Sequence, residues 1–321
     1  METSLMIDAA RTMVVILGGL IIGYTLRKSG RLREHASTPL NEFVLTYIQP
    51  FVIALALWSM EPPDLQTLAL PVFDIALILC LWPAGILISR LIRMDRPSRG
   101  SFVLMTMFSN VGFTYGTFLA YVAIGPQGAA LGALYCVSFL PVLFTVGFFV
   151  ARRHAPGSHA GALEALKDLV TDSHTRNPMV GIAAGLLLNF VGIGAPAASG
   201  FMIDILMPLT TALFLVAIGL GLRLSAVRDY WRECTLLHAA RFVVSPAIGL
   251  ALAFAFGYWQ MADHDLLKVV FIQSATPAAI MAVMVADIFD LNKGLAGAMW
   301  ITTNVTSIFL APVILYAASL L

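Results

Sequence analysis

The sequence predicts an all-α membrane protein: ten transmembrane helices in a 5+5 inverted repeat, with helices 4 and 9 broken and crossed. Three observations lead there. Of 321 residues, 59% are hydrophobic and 12% charged. That is about half the charge of a soluble domain, too little polar surface to clothe a soluble fold. Sixteen of the nineteen Lys and Arg residues fall in alternate loops between apolar runs. Four short motifs of the first half recur, in order, in the second.

A helical span needs about 20 mostly apolar residues. Ten runs qualify, at 9–26, 40–60, 68–92, 101–124, 127–151, 178–193, 200–222, 234–257, 266–288 and 294–320. The first is preceded by Glu2 and Asp8 and followed by "RKSGRLR". A cleaved signal has its positive charge before the apolar core, so this order predicts a first span with its N-terminus outside. The loops agree. Arg27, Lys28, Arg31 and Arg33 lie between spans one and two, and Arg90, Arg93, Arg96 and Arg99 between three and four. Arg152, Arg153, Lys167 and Arg176 follow span five, Arg223, Arg228 and Arg232 follow span seven, and Lys293 follows span nine. The opposite side has Arg11 and Lys268. Basic loops stay cytoplasmic, so both termini are expected outside a multi-pass protein of the inner or plasma membrane.

Between spans five and six, "HAGALEALKDLVTDSHTRNP" puts Leu163, Leu166, Leu169 and Val170 on one helical face. It reads as an interfacial amphipathic helix or as a solvated linker helix. The chain thus divides into a first repeat (1–152), a cytoplasmic linker (153–177) and a second repeat (178–321). Within the repeats, "GLIIGYTL" (19–26) pairs with "GIAAGLLL" (181–188), and "QPFVIALAL" (49–57) with "MPLTTALFL" (207–215). "WPAGI" (82–86) pairs with "SPAIG" (245–249), and "GALY" (132–135) with "GAMW" (297–300). Five spans per copy is odd, so the second copy inserts upside down, a signature of secondary transporters.

Spans four and nine carry polar residues where lipid-facing helices do not. "FSNVGFTYGTF" (108–118) contains Ser109, Asn110, Gly112 and Thr114; "FIQSATPAAI" (271–280) contains Gln273, Ser274, Thr276 and Pro277. Pro277 clashes with the carbonyl of Gln273 and pushes Thr276 out of helical angles. Span nine should therefore break at Thr276–Pro277, with Pro277 in the first turn of the half-helix that follows. Gly112 and Gly116 loosen span four at the matching place. Bare backbone at membrane depth must be buried in protein or line a cavity. Two breaks at equivalent points of an inverted repeat are expected to cross, aiming two positive helix ends at one point. A carboxylate can sit there without Lys or Arg, with Asn110 and backbone amides as donors. Ser109, Asn110, Gly112, Thr114, Gln273, Ser274, Thr276, Pro277 and Asn304 are the candidate substrate-binding residues; helix packing is the alternative role for the small ones.

Asp74, about six residues into span three, reads either as a titrating proton-coupling group or as an interfacial residue in water. Arg241, two turns into span eight, is expected to snorkel to the interface. Asp287 reads as interfacial. Cys80, Cys136, Cys234 and the six histidines show no disulfide or metal spacing, so no metal and no cofactor are expected. No basic patch calls for nucleic acid.

A family resemblance runs through these motifs. "RFVVSPAIGLALAF" (241–254) followed by "FIQSATPAAIMAVMVADIFDLNKGLAGAMWITTNVTSIFLAPVILYA" (271–317) resembles the last spans of the auxin efflux carrier family, and "FSNVGFTYG" resembles its Asn-x-Gly stretch in span four. The resemblance covers essentially the whole chain and is strongest over 241–317. It implies a scaffold domain (spans 1, 2, 6, 7), a transport domain (spans 3–5, 8–10), and elevator-type transport of a small organic anion. It also carries Asn110 and Pro277 onto the family's crossing residues. Members commonly have proline in both crossing helices; span four here has none. The short linker matches bacterial members. The expected partners are the anion and membrane lipid, with a homodimer left open. The leading reading is a sodium-independent permease. The alternative is a sodium-coupled symporter similar to the bile acid family, which looks to a glutamate in helix nine; span nine has no carboxylate near Pro277, although "SN" at 109–110 resembles that family. A membrane receptor or enzyme is the third reading, with no Ser/His/Asp set, HExxH or Gly-rich phosphate loop to support it.

Overall fold

The structure, a computed structural model, describes residues 2–32, 36–112, 114–156, 171, 173–221, 227–261 and 263–321. Among these residues every regular element is a helix, apart from one isolated backbone bridge. In chain order the helices are α1 (Glu2–Lys28), α2 (Val44–Ser59, led in by Ser37–Phe43), α3 (Leu70–Leu91), α4 (Arg96–Met107), α5 (Gly116–Ile124) and α6 (Pro126–His154). The second half gives α7 (Ser173–Phe190), α8 (Ser199–Gly221), α9 (Trp231–Ala255), α10 (Asp265–Ser274), α11 (Ile280–Ile288) and α12 (Lys293–Ser319). Most of the expected amphipathic helix of the linker lies outside the described residues.

Among the described residues, five stretches are long and apolar enough to cross a bilayer by themselves: Leu65–Leu91, Pro126–His154, Ser199–Leu220, Trp231–Ala255 and Lys293–Ser319. The helices α4, α5, α10 and α11 have 12, 9, 10 and 9 residues. Each is too short to span alone.

The glycines of the repeated motif explain two helix pairs. Gly19 and Gly23 of α1 face the backbone carbonyls of Ala212 and Val216 of α8 so closely that a Cβ would collide with them. Gly181 and Gly185 of α7 face Pro50 and Ala54 of α2 in the same way. Small residues at this spacing let membrane helices approach to backbone contact. The first motif of each half thus packs on the second motif of the other half.

Proline shapes these rods too. Pro50 has no N–H to give the Thr46 carbonyl, and a π turn (Val44–Ile48) precedes it. The freed Thr46 carbonyl accepts Asn177 Nδ2 of α7 at 2.9 Å. A second π turn (Ala240–Val244) precedes Pro246 in α9.

Loops cluster at two ends. At one, Asn292 joins Ser98 (2.9 Å) and Tyr230 (3.4 Å), Ser101 donates to the Asn292 carbonyl (3.0 Å), and Arg96 donates to the Arg153 carbonyl (2.7 Å). Asp287 and Lys293 form an exposed ion pair near the same turn, so Asp287 is a surface residue. At the other end, Tyr258 donates to Gln66 O (2.7 Å), Trp58 to Ile193 O (2.6 Å), and His264 Nδ1 lies 2.6 Å from Leu321 O. Two apolar cores flank the middle. One contains Phe102, Phe108, Phe148 and Phe289; the other contains Phe73, Phe118, Tyr135 and Tyr258.

Candidate functional site

Midway through the molecule α4 stops at Met107 and α5 starts at Gly116, while α10 stops at Ser274 and α11 starts at Ile280. The two interruptions run antiparallel. Asn110 N–H donates to the Pro277 carbonyl at 2.7 Å and Ala279 N–H to the Phe108 carbonyl at 3.0 Å, bracketing the Ser109–Ala278 bridge. Each interruption satisfies backbone groups that lipid could not. Pro277 is therefore not in the first helical turn, as the sequence alone predicts. The N-cap of α11 is Ala279, and Pro277 stands two residues earlier in the extended segment. Its missing N–H costs no ladder bond there, and its carbonyl holds Asn110. The proline-free interruption is three positions longer than the other, consistent with glycine releasing a helix less sharply than proline.

The polar side chains interlock around this bridge. Thr114 Oγ1 donates to Asn110 Oδ1 at 2.6 Å, and Asn110 Nδ2 lies 3.5 Å from Asn304 Oδ1. Asn304 Nδ2 donates to the carbonyls of Ala278 (3.0 Å) and Trp300 (2.9 Å). Thr303 Oγ1 accepts from Ala278 N–H at 3.3 Å. Gln273 Nε2 donates to Thr117 Oγ1 (3.3 Å) and the Gly132 carbonyl (3.4 Å), while its buried Oε1 has no hydrogen-bond partner. Ser274 and Thr276 donate their hydroxyls to the carbonyls of Phe271 (2.7 Å) and Gln273 (2.8 Å). Of the nine candidate residues, Asn110 and Gly112 are half-buried; Ser109, Thr114, Gln273, Ser274, Thr276, Pro277 and Asn304 are buried.

Arg241 corrects an expectation. It does not reach the interface: it is 0% exposed. Its Nε and Nη2 donate to the Thr276 carbonyl at 3.0 and 2.9 Å, and its Nη1 to the Thr106 carbonyl at 3.0 Å. The cause is the crossing itself. Helices that stop inside the protein leave terminal carbonyls with no partner in the helix. A guanidinium presents several donors in a fixed fork and can serve at once the end of α4 and the interruption that follows α10. Asp74 is 2% exposed and accepts from Ser138 Oγ at 2.8 Å, so it is not an interfacial residue in water. Arg241, Tyr135 and Cys136 lie within electrostatic reach of it. The Tyr135 hydroxyl is buried without a partner.

Sequence reasoning missed Gln49. It is 9% exposed, its amide faces Gly112, and its Oε1 is unpartnered. The available signal was a glutamine before proline inside an apolar span. Across the same junction, Tyr121 of α5 donates to Asp204 of α8 at 2.8 Å, and Tyr115 donates to the Ser307 carbonyl at 2.5 Å.

A family model described as a membrane transport protein matches residues 8–149. An uncharacterized transporter of Methanocaldococcus jannaschii is 24% identical over 310 residues, covering 93% of this chain and 96% of the relative. An uncharacterized transporter of Methanothermobacter thermautotrophicus is 20% identical over 305 residues, covering 95% and 96%. The model falls on the first half, whereas the motif resemblance is strongest in the second; both relatives run through both halves.

Proposed function

We propose that the chain, similar over residues 8–149 to a membrane transport protein family and over nearly its whole length to two archaeal transporters, is a secondary transporter for a small organic anion, working without sodium. The observation that carries this is the half-buried Asn110 at the paired interruptions. Its Oδ1 is held by Thr114 and its Nδ2 keeps a hydrogen free. Arg241 binds the Thr106 carbonyl in the last turn of α4 and the Thr276 carbonyl two residues past α10, leaving the N-terminal ends of α5 and α11, which carry positive partial charge. A carboxylate is the ligand this field favours.

In this reading ten spans form the two inverted repeats, with the N-terminus outside. The pairs α1–α8 and α2–α7 form a scaffold, and the helices holding the crossing slide against it as an elevator. The glycine contacts within the pairs support a rigid scaffold. Gln49 and the Tyr121–Asp204 bond mark the seam where sliding would occur. Asp74 is the proposed proton-coupling group. Asp74→Asn is expected to flatten the pH dependence of transport into proteoliposomes; an unchanged pH profile would remove Asp74 from that role.

A sodium-coupled symporter is the second reading, favoured by the unpartnered Gln273 Oε1, a buried oxygen able to face a cation. A thermal-unfolding screen of wild type and Asn110→Ala across small organic acids, with and without sodium, separates the two. A ligand at 100 times its Kd adds about 2.7 kcal/mol of stability, so binders are visible. A sodium-independent rise with a carboxylate, lost in Asn110→Ala, is the expected result. A rise that needs sodium moves the assignment to the symporter.

A further inference from the structure

The basic end of the molecule holds a cavity of about 660 Å³, lined by Arg90, Arg96, Arg99, Arg153, Trp82 and His154 among others. It lies where the end of α3, the start of α4 and the end of α6 meet. It is not the crossing: Arg96 and Met107 stand at opposite ends of α4, which has 12 residues, about 16 Å apart at the helical rise.

Four arginines gathered at one cavity repel each other unless an anion joins them. Among the described residues no carboxylate pairs with any of them. Asp95 is beside them in sequence, but its side chain accepts from Ser98 N–H as the N-cap of α4 (3.3 Å). Arg96 and Arg99 donate to backbone carbonyls, of Arg153 (2.7 Å) and Met94 (3.0 Å). Arg90 and Arg153 have no protein partner for their guanidinium groups among these residues. Two of the lining residues also carry a buried donor without a partner, Arg99 Nε and Trp82 Nε1. Buried donors left without acceptors are uncommon, and each calls for an explanation.

Part of the cavity wall is apolar. Ile86 and Val150 line it, and the Trp82 ring meets Phe149 edge-on at 6.0 Å. Phe149, beside the Trp82 ring, and Leu87 and Leu91, on the same helix as Trp82, Ile86 and Arg90, are exposed apolar side chains. A soluble anion has no use for this surface, whereas acyl chains do. Basic pockets between helices on the cytoplasmic side are suited to anionic headgroups.

We propose that this cavity binds an anionic phospholipid. Its phosphate is held by the guanidinium groups of Arg90, Arg99 and Arg153. The acyl chains run along Phe149, Leu87 and Leu91.

The test titrates dioleoylphosphatidylglycerol, dioleoylphosphatidylcholine or inorganic phosphate into the purified full chain in detergent and follows thermal unfolding. Phosphatidylglycerol should stabilise wild type at a concentration at least about tenfold below phosphatidylcholine. Arg90→Gln and Arg153→Gln remove guanidinium groups without breaking a protein hydrogen bond, so both should keep the wild-type melting point in phosphatidylcholine. Each should weaken the phosphatidylglycerol effect about fivefold, the contribution of one basic residue near an anionic surface. Arg228→Gln, outside the cavity, should leave it unchanged. The proposal is overturned if both cavity variants respond as wild type, if Arg228→Gln loses as much as they do, or if the two lipids act alike. It is overturned in favour of a soluble anion if inorganic phosphate alone reproduces the gain.

Discussion

Arg241→Met is expected to destabilise the protein by about 2–6 kcal/mol, since it strands two buried carbonyls at about 1–3 kcal/mol each. Thr106 O and Thr276 O have Arg241 as their side-chain donor, and the residue has no exposed surface through which water could replace it. Methionine keeps most of the volume, so the loss isolates the hydrogen bonds and the charge rather than a cavity. Asp74 adds to the effect, because Arg241 is a positive charge within its reach. Arg241→Lys should fall between the two: it keeps the charge but not the planar fork that spans both carbonyls. Thermal unfolding of the purified protein checks the order wild type, Lys, Met. Equal melting points for wild type and Arg241→Met would mean that the two helix ends do not depend on this side chain.

Gly116→Ala is expected to abolish transport at a smaller cost in stability. A Cβ at 116 would collide with Gln273 Oε1, lie 2.8 Å from Thr276 Cγ2 and 3.1 Å from Asn110 O. Overpacking of this kind costs about 1–3 kcal/mol. The Gln273 amide can yield only by leaving Thr117 and the Gly132 carbonyl, its two acceptors. Because the colliding atoms belong to both interruptions, the relief must alter the spacing of the crossing itself. Gly18→Ala is the control: nothing lies within 4 Å of its Cβ, and alanine favours the helix. Uptake by proteoliposomes should survive Gly18→Ala and be lost in Gly116→Ala. Wild-type uptake in Gly116→Ala would show that the crossing tolerates a wider gap.

Much of this was legible in the sequence, and for identifiable reasons. Composition alone dictates the membrane class. Pro277 foretells its interruption because a missing N–H acts locally. The motif pairs at 19–26 and 181–188 mark real packing faces because close backbone approach demands glycine at fixed spacing. What failed to show are properties that exist only after the chain returns on itself. Arg241 is an ordinary snorkelling arginine until two helix ends from other parts of the chain stop beside it. Asp74 reads as interfacial or buried depending on Ser138, 64 positions away. Gln49 acquires meaning only from Gly112 across the seam. The exact cap of α11 was missed because the bridge to residues 108–110 holds three further residues extended.

The bridge between the interruptions also sets an order of manufacture. Phe108 O and Asn110 N take their partners from Ala279 and Pro277, which the ribosome delivers about 170 residues later. Until then the nascent first half carries exposed peptide groups at a depth where neither water nor lipid can satisfy them. The first half should be a dependent fragment, retained near the insertion machinery or destroyed, and rescued when the second half is supplied as a separate chain.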